Sequence, residues 1–213
     1  MVEKLAINLV DQMLDSKMIR GEQKEYYVYS LILLVEKTIT LGTILTISLF
    51  LGNLLPTIFF LLFFLTLRGR TGGFHCNTFG QCYLGTTVTY MLIVILADYW
   101  VNQWQVLLWV LFLAIIIVAV IGTVNHPNMH MNTLELVCSK KAARILLVLQ
   151  GSVIYFFVFL KLDMLYIYYM SIAIILCATL LCLSKILKQE VTENEASEQK
   201  SFEDRGESGK ARG

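Results

Sequence analysis

The chain has 213 residues, of which 57% are hydrophobic and 15% charged, with a formal net charge of +1 and a mean hydropathy of +0.67. An ordinary soluble domain is about 45–50% apolar and about 25% charged, and a globule of this size could not cover so much apolar surface. The composition excludes disorder, fibrous repeats and disulfide-rich secreted modules. With 17 basic against 16 acidic residues there is no domain-scale basic surface, so no nucleic-acid partner is expected. What remains is an all-α, polytopic integral membrane protein.

Met1–Tyr26 predicts an amphipathic helix on the membrane surface. Leu5, Leu9 and Met13 recur near helical spacing, with Lys4, Asp11, Asp15, Lys17, Arg20, Glu22, Lys24 and Glu25 between them. It lacks an apolar core and a small-residue cleavage site, so it does not read as a secretory signal peptide. A transmembrane helix needs roughly 20 mostly apolar residues. Six such spans follow: Val28–Leu51, Leu54–Leu67, Leu84–Trp100, Val106–Val124, Ala143–Leu160 and Met164–Ile186. The second is short for a straight crossing, so it either extends into the residues after it or is re-entrant. Glu190–Gly213 mixes charges with Ser and Gly and carries almost no apolar side chains, the composition of a disordered tail. The expected organisation is an N-terminal segment (1–26), a transmembrane body (27–188) and a charged tail (189–213).

Lys and Arg set the orientation. Lys4, Lys17, Arg20 and Lys24 precede the first span, Arg68 and Arg70 follow the second, Lys140, Lys141 and Arg144 flank the start of the fifth, and Lys185 and Lys188 follow the sixth. The alternate turns carry at most Lys161. The basic clusters therefore fall on one side, predicting a multi-pass cell-membrane protein with both termini in the cytoplasm. Trp100, Trp104 and Trp109 surround the third-to-fourth turn as an interfacial aromatic belt would, and Tyr166, Tyr168 and Tyr169 read as interfacial too. On this topology Cys76, Cys82 and Cys138 face a reducing compartment, where structural disulfides are rare. Cys177 and Cys182 lie inside a span and read as packing residues.

One stretch does not fit the apolar pattern. Arg68 to Cys82 holds two Arg, four Gly, His75, Cys76 and Cys82 in fifteen residues. A polar, Gly-rich segment at membrane depth must be buried in protein or line a wet cavity. His75 and Cys82 offer a base and a nucleophile: the thiolate is the reactive form of Cys, and a neighbouring imidazolium or guanidinium favours it. Were residues 75–82 one helix, the two would share a face but lie about 10 Å apart along the axis. A dyad thus requires an irregular turn between them, which Asn77, Thr78 and Gly80 allow. Cys76 is a competing nucleophile. Arg68, Arg70 and the backbone amides around Gly72 and Gly73 are candidates for an oxyanion hole or for substrate binding, and the two Arg read equally well as positive-inside anchors. Glu36, beside Lys37 in the first span, is a candidate to orient His75 or to receive a basic substrate group. No cofactor is called for. The alternative is a small transporter or channel, with His75, Cys76 and Cys82 as a soft-metal site, although their spacing matches no standard zinc pattern.

Arg68, Gly72, Gly73 and His75, with Cys82 seven residues further on, resemble the signature of the accessory gene regulator protein B (AgrB) family. The similarity extends over most of the chain, through its length, amphipathic start, multiple spans and the loop His126-Pro127-Asn128-Met129-His130 with Lys140 and Lys141 beyond it. The resemblance implies a membrane-embedded thiol protease of quorum sensing, with Cys82 as nucleophile and His75 as base, on the cytoplasmic side. Its implied partner is a small AgrD-like precursor peptide, cleaved near its C-terminal end through an acyl-enzyme thioester and closed into a thiolactone or lactone ring. A homodimer is compatible with so small a bundle.

Overall fold

A computed structural model describes residues 2–16, 24–72, 78–123 and 133–187. Within them the chain is all-α, with no strand. Its helices are α1 (Val2–Asp15), α2 (Lys24–Phe50), α3 (Leu54–Thr71), α4 (Phe79–Ile95), α5 (Ala97–Asn102), α6 (Trp104–Ile121), α7 (Thr133–Phe159) and α8 (Met164–Ile186). Five of these, α2, α3, α6, α7 and α8, are long and apolar enough to cross a membrane, and α4 is a shorter apolar helix of 17 residues. The expected polytopic helical membrane fold is the one observed. The tail 189–213 and the loop His126–His130 lie outside the described residues.

The helix ends differ from the predicted spans for identifiable reasons. Helix α7 starts at Thr133, ten residues before the predicted span, because Lys140 and Lys141 continue the helix without continuing the apolar run. Its 27 residues rise about 40 Å at 1.5 Å each, more than the ~30 Å hydrocarbon core, so part of it extends beyond the apolar layer. Helix α3 resolves the choice left by the short second span: it runs on through Arg68 and Arg70 to Thr71. The third span is broken at Leu96, which separates α4 from α5.

The helices fall into two compact units, Met1–Leu54 with Cys76–Val94, and Leu55–His75 with Ile95–Gly213. In the first unit α1 packs along α2, burying Val10 completely. Lys24 Nζ meets Asp11 at 2.6 Å, a half-exposed pair that contributes little beyond orientation. Helix α2 carries four threonines whose hydroxyls each donate to the carbonyl four residues back: Thr38 to Leu34 (2.8 Å), Thr40 to Glu36 (2.9 Å), Thr43 to Ile39 (2.9 Å) and Thr46 to Gly42 (2.7 Å). This back-bonding satisfies polar groups in an otherwise apolar helix.

In the second unit α8 forms the centre, packed by α5, α6 and α7. Leu107, Leu111, Ala114 and Val118 bury one stripe of α6 at four- and three-residue spacing, the pattern of close helix packing. Small residues on α8, including Ser171, Ala173 and Ala178, let neighbouring backbones approach where no hydrophobic force drives association within lipid. Tyr168 and Tyr169 correct the interfacial reading. They are buried and packed edge-to-face at 5.5 Å, while Tyr166 meets Phe59 edge-on at 5.8 Å. Cys177 is buried as expected of a packing residue, with its thiol directed to the Phe64 carbonyl at 3.8 Å. Gln150 of α7 donates through Nε2 to the Phe63 carbonyl (3.0 Å) and to Thr66 Oγ1 (2.9 Å), tying α7 to α3.

Candidate functional site

The polar stretch from Arg68 to Cys82 is divided between two helix ends. Its first part closes α3. Gly72 takes the left-handed conformation (φ 65°), and its N–H donates to the Arg68 carbonyl at 3.1 Å. That bond is the left-handed C-terminal cap, and only Gly adopts its conformation without strain. The Arg68 guanidinium donates to the Gly72 carbonyl, placing a cation where the helix dipole is negative. Thr123 Oγ1 donates to the Arg70 carbonyl at 2.9 Å. Just before it, Gly122 ends α6 (φ 73°) with the Lys140 side chain 3.2 Å from where a Cβ would stand, and Arg144 Nε donates to the Ala119 carbonyl at 3.1 Å. Basic residues that read as orientation signals in the sequence thus also cap the C-terminal ends of α3 and α6.

The last part opens α4. Thr78 precedes the helix, and its hydroxyl accepts from the Gln81 N–H at 3.4 Å, while its carbonyl accepts from the Cys82 N–H at 3.1 Å. Thr78 and Gln81 stand in the Thr-x-x-Gln pattern of a capping box. Cys82 is a free, exposed cysteine in the first turn. A helical side chain leans toward the amino end of its own helix, so the thiol leans over the turn begun by Thr78. Backbone N–H groups and the helix dipole favour negative charge there. The next residue, Tyr83, meets Phe79 with ring centroids 5.8 Å apart, and its hydroxyl lies 3.2 Å from Thr43 Oγ1 of α2.

A family model described as accessory gene regulator B matches residues 2–185. The chain belongs to the accessory gene regulator B family. This membership makes it a membrane protein of quorum-sensing peptide processing, a setting that includes a small precursor peptide. The match runs from the start of α1 into the last turn of α8 and includes the whole Arg68–Cys82 stretch. No curated protein and no solved structure matches the chain.

Of the predicted site residues of this accessory gene regulator B protein, Cys82 and half-buried Glu36 lie in the first unit, and Arg68, Arg70 and Gly72 in the second. His75, Gly73 and the competing Cys76 lie outside the described residues. The Gly72 amide is engaged in capping α3, so it would have to leave that bond to stabilise an oxyanion, whereas the Arg68 guanidinium, which carries five N–H donors, holds the Gly72 carbonyl with one of them. Arg70 is exposed. Among the described residues no group of three His, Cys, Asp or Glu side chains is placed to hold a metal ion.

The sequence places Thr78 in an irregular turn but not as the cap of α4, and it does not single out Tyr83 or Thr43. The Thr-x-x-Gln spacing could have revealed the first; the other two meet across forty residues. Thr78→Ala should weaken the cap by about 1 kcal/mol and lower the rate of precursor-peptide processing several-fold while the protein still inserts. Rates measured on membranes with matched protein content would check this, and a wild-type rate would show that the cap does not matter to the site.

Proposed function

We propose that this chain is a membrane-embedded cysteine endopeptidase, with His75 and Cys82 as its dyad, that cleaves a small precursor peptide near its C-terminal end and promotes cyclisation of the retained part. The observation that carries the proposal is Cys82, a free and exposed thiol in the capped first turn of α4, within the region matched to a family that processes peptides. A thiolate and the oxyanion it generates both carry negative charge, and a helix amino terminus favours it.

In this reading His75 takes the Cys82 proton as sulfur attacks the scissile carbonyl carbon. The tetrahedral oxyanion collapses, the C–N bond breaks, and His75 gives its proton to the departing amine. The products are a thioester on Cys82 and a free C-terminal fragment. A peptide thiol then attacks the thioester carbon, the ring closes as a thiolactone, and the proton returns to the Cys82 sulfur. Exchange of one thioester for another keeps the bond type, so it competes with hydrolysis when the thiol is held close and water is kept out. Because the Gly72 amide already has an acceptor, the N–H groups of Phe79 and Gly80 are the preferred oxyanion donors: they stand in the first turn, where a helix supplies them no internal partner. The distribution of Lys and Arg supports a cytoplasmic position for both termini and this site.

The test is to trap the thioester. Membranes from cells co-expressing the chain and its precursor peptide are quenched in acid, digested and analysed by mass spectrometry. The Cys82 fragment should carry the retained part of the precursor, and hydroxylamine should release it. An adduct on Cys76 would sink the choice of nucleophile. Cleaved peptide with no adduct on any cysteine would sink covalent catalysis.

A further inference from the structure

We propose that Tyr83 is a positioning residue for Cys82, holding the first turn of α4 against α2 through a hydrogen bond to Thr43; the inference rests on the cysteine peptidase reading. The direction of the bond follows from the proton inventory. A threonine hydroxyl has one proton, and that of Thr43 is directed to the Ile39 carbonyl at 2.9 Å. In the 3.2 Å contact between the two hydroxyls, Tyr83 is therefore the donor and Thr43 Oγ1 the acceptor. A hydrogen-bonded chain runs from Tyr83 through Thr43 into the backbone of α2.

This chain is local to the nucleophile. Tyr83 follows Cys82 directly, its ring contacts Phe79 in the same first turn, and its carbonyl accepts from Thr87 Oγ1 at 2.8 Å. The Cys82 carbonyl accepts from Thr86 Oγ1 at 2.7 Å, and the Cys82 N–H is held by Thr78. Within the helix the turn carrying Cys82 is thus fixed by its own hydroxyls. The Tyr83–Thr43 bond fixes it to another helix. In lipid an interhelical hydrogen bond is modest in strength but sharply directional, and small misplacements of a nucleophile reduce rates steeply. Thr43 also shares a face of α2 with Thr40 and Glu36, one and two turns earlier, so the bond sets which face of α2 stands beside the nucleophile's helix.

The experiment uses the full-length protein in membranes, with cleavage of the precursor peptide as readout, in Tyr83→Phe, Thr43→Val, Thr43→Ser and the Tyr83→Phe/Thr43→Val double variant. Tyr83→Phe keeps the ring and its contact with Phe79. Each of the first two should lower kcat about tenfold with KM within about twofold. Thr43→Ser, which keeps the acceptor, should restore kcat. The double variant should be no worse than either single one, as expected for two partners in one interaction. Wild-type kcat in both single variants, or penalties that multiply in the double, would overturn the assignment. If one variant fails to insert, the other still tests the bond, because the two remove its opposite ends. Cys82→Ala separates the two levels: an inactive Cys82→Ala with an unaffected Tyr83→Phe defeats the positioning role alone, whereas an active Cys82→Ala defeats the peptidase reading beneath it.

Discussion

Cys82→Ala is expected to abolish release of the precursor's C-terminal fragment, lowering the rate at least about 10³-fold, while Cys76→Ala leaves it within a few-fold of wild type. Losing the nucleophile of a covalent mechanism removes the whole pathway, and such losses reach about 10⁶-fold where measured. The structure makes the experiment clean. The Cys82 side chain is exposed, so its removal leaves no cavity. Alanine is a better helix former than cysteine, and the bonds from the Gln81 and Cys82 N–H groups to Thr78 do not involve the thiol. Membrane content of the variant should therefore match wild type, and lost cleavage reports chemistry rather than folding. Quantifying the released fragment by mass spectrometry in membranes with equal protein decides it. Activity retained by Cys82→Ala and lost by Cys76→Ala would move the nucleophile to residue 76, and activity retained by both would remove cysteine from the mechanism.

The membrane architecture was legible because lipid imposes one rule, sustained apolarity over a fixed length. Met164–Ile186 illustrates it: the predicted and observed limits coincide, because Asp163 caps the start, accepting from the Leu165 N–H at 2.9 Å, and Lys185 marks the end. Where helix and apolar run diverge, hydropathy fails. It passed over the first turns of α7, whose Lys140 and Lys141 are helical without being apolar. It also buried no tyrosines, because a run of Tyr at a span end has the same composition whether it faces lipid headgroups or the α8 core.

At the candidate site, the residue types were legible and their division of labour was not. Arg68 through Cys82 reads as one polar stretch, yet its first four residues finish α3 and its last four begin α4. Capping explains the confusion, since Gly, Thr and Arg at a helix end satisfy orphan backbone groups and look like loop chemistry in a string of letters. Arg68 shows the consequence. Its sequence context suits an oxyanion donor or a membrane anchor; the geometry gives it a third task, holding the Gly72 carbonyl. Tyr83 and Thr43 were beyond reach for a different reason, because which faces of α2 and α4 meet is a tertiary fact that neither helix encodes alone.

Gln150 carries the same lesson into the bundle and yields the largest expected effect on stability. It sits unremarked in an apolar span, yet it is 4% exposed and its amide nitrogen serves both the Phe63 carbonyl and Thr66 Oγ1. Gln150→Glu keeps the shape and, when ionised, removes both donors. A carboxylate oxygen would face a carbonyl oxygen and a hydroxyl whose proton is already directed to the Leu62 carbonyl at 2.5 Å, so repulsion replaces two bonds, and protonating the buried carboxyl returns only one donor. A charge at membrane depth costs on the order of 3 kcal/mol or more, so the variant should accumulate poorly and unfold at markedly lower denaturant. Gln150→Leu should be far milder, about 1 kcal/mol, because interhelical hydrogen bonds in membranes average under about 1 kcal/mol each. It also removes Oε1, a buried acceptor with no hydrogen-bond partner, which offsets part of the loss. Unfolding of the purified protein in mixed micelles with increasing denaturing detergent would rank the two. A Glu variant as stable as wild type, or a Leu variant less stable than the Glu, would show that the amide's donors do not hold α7 to α3.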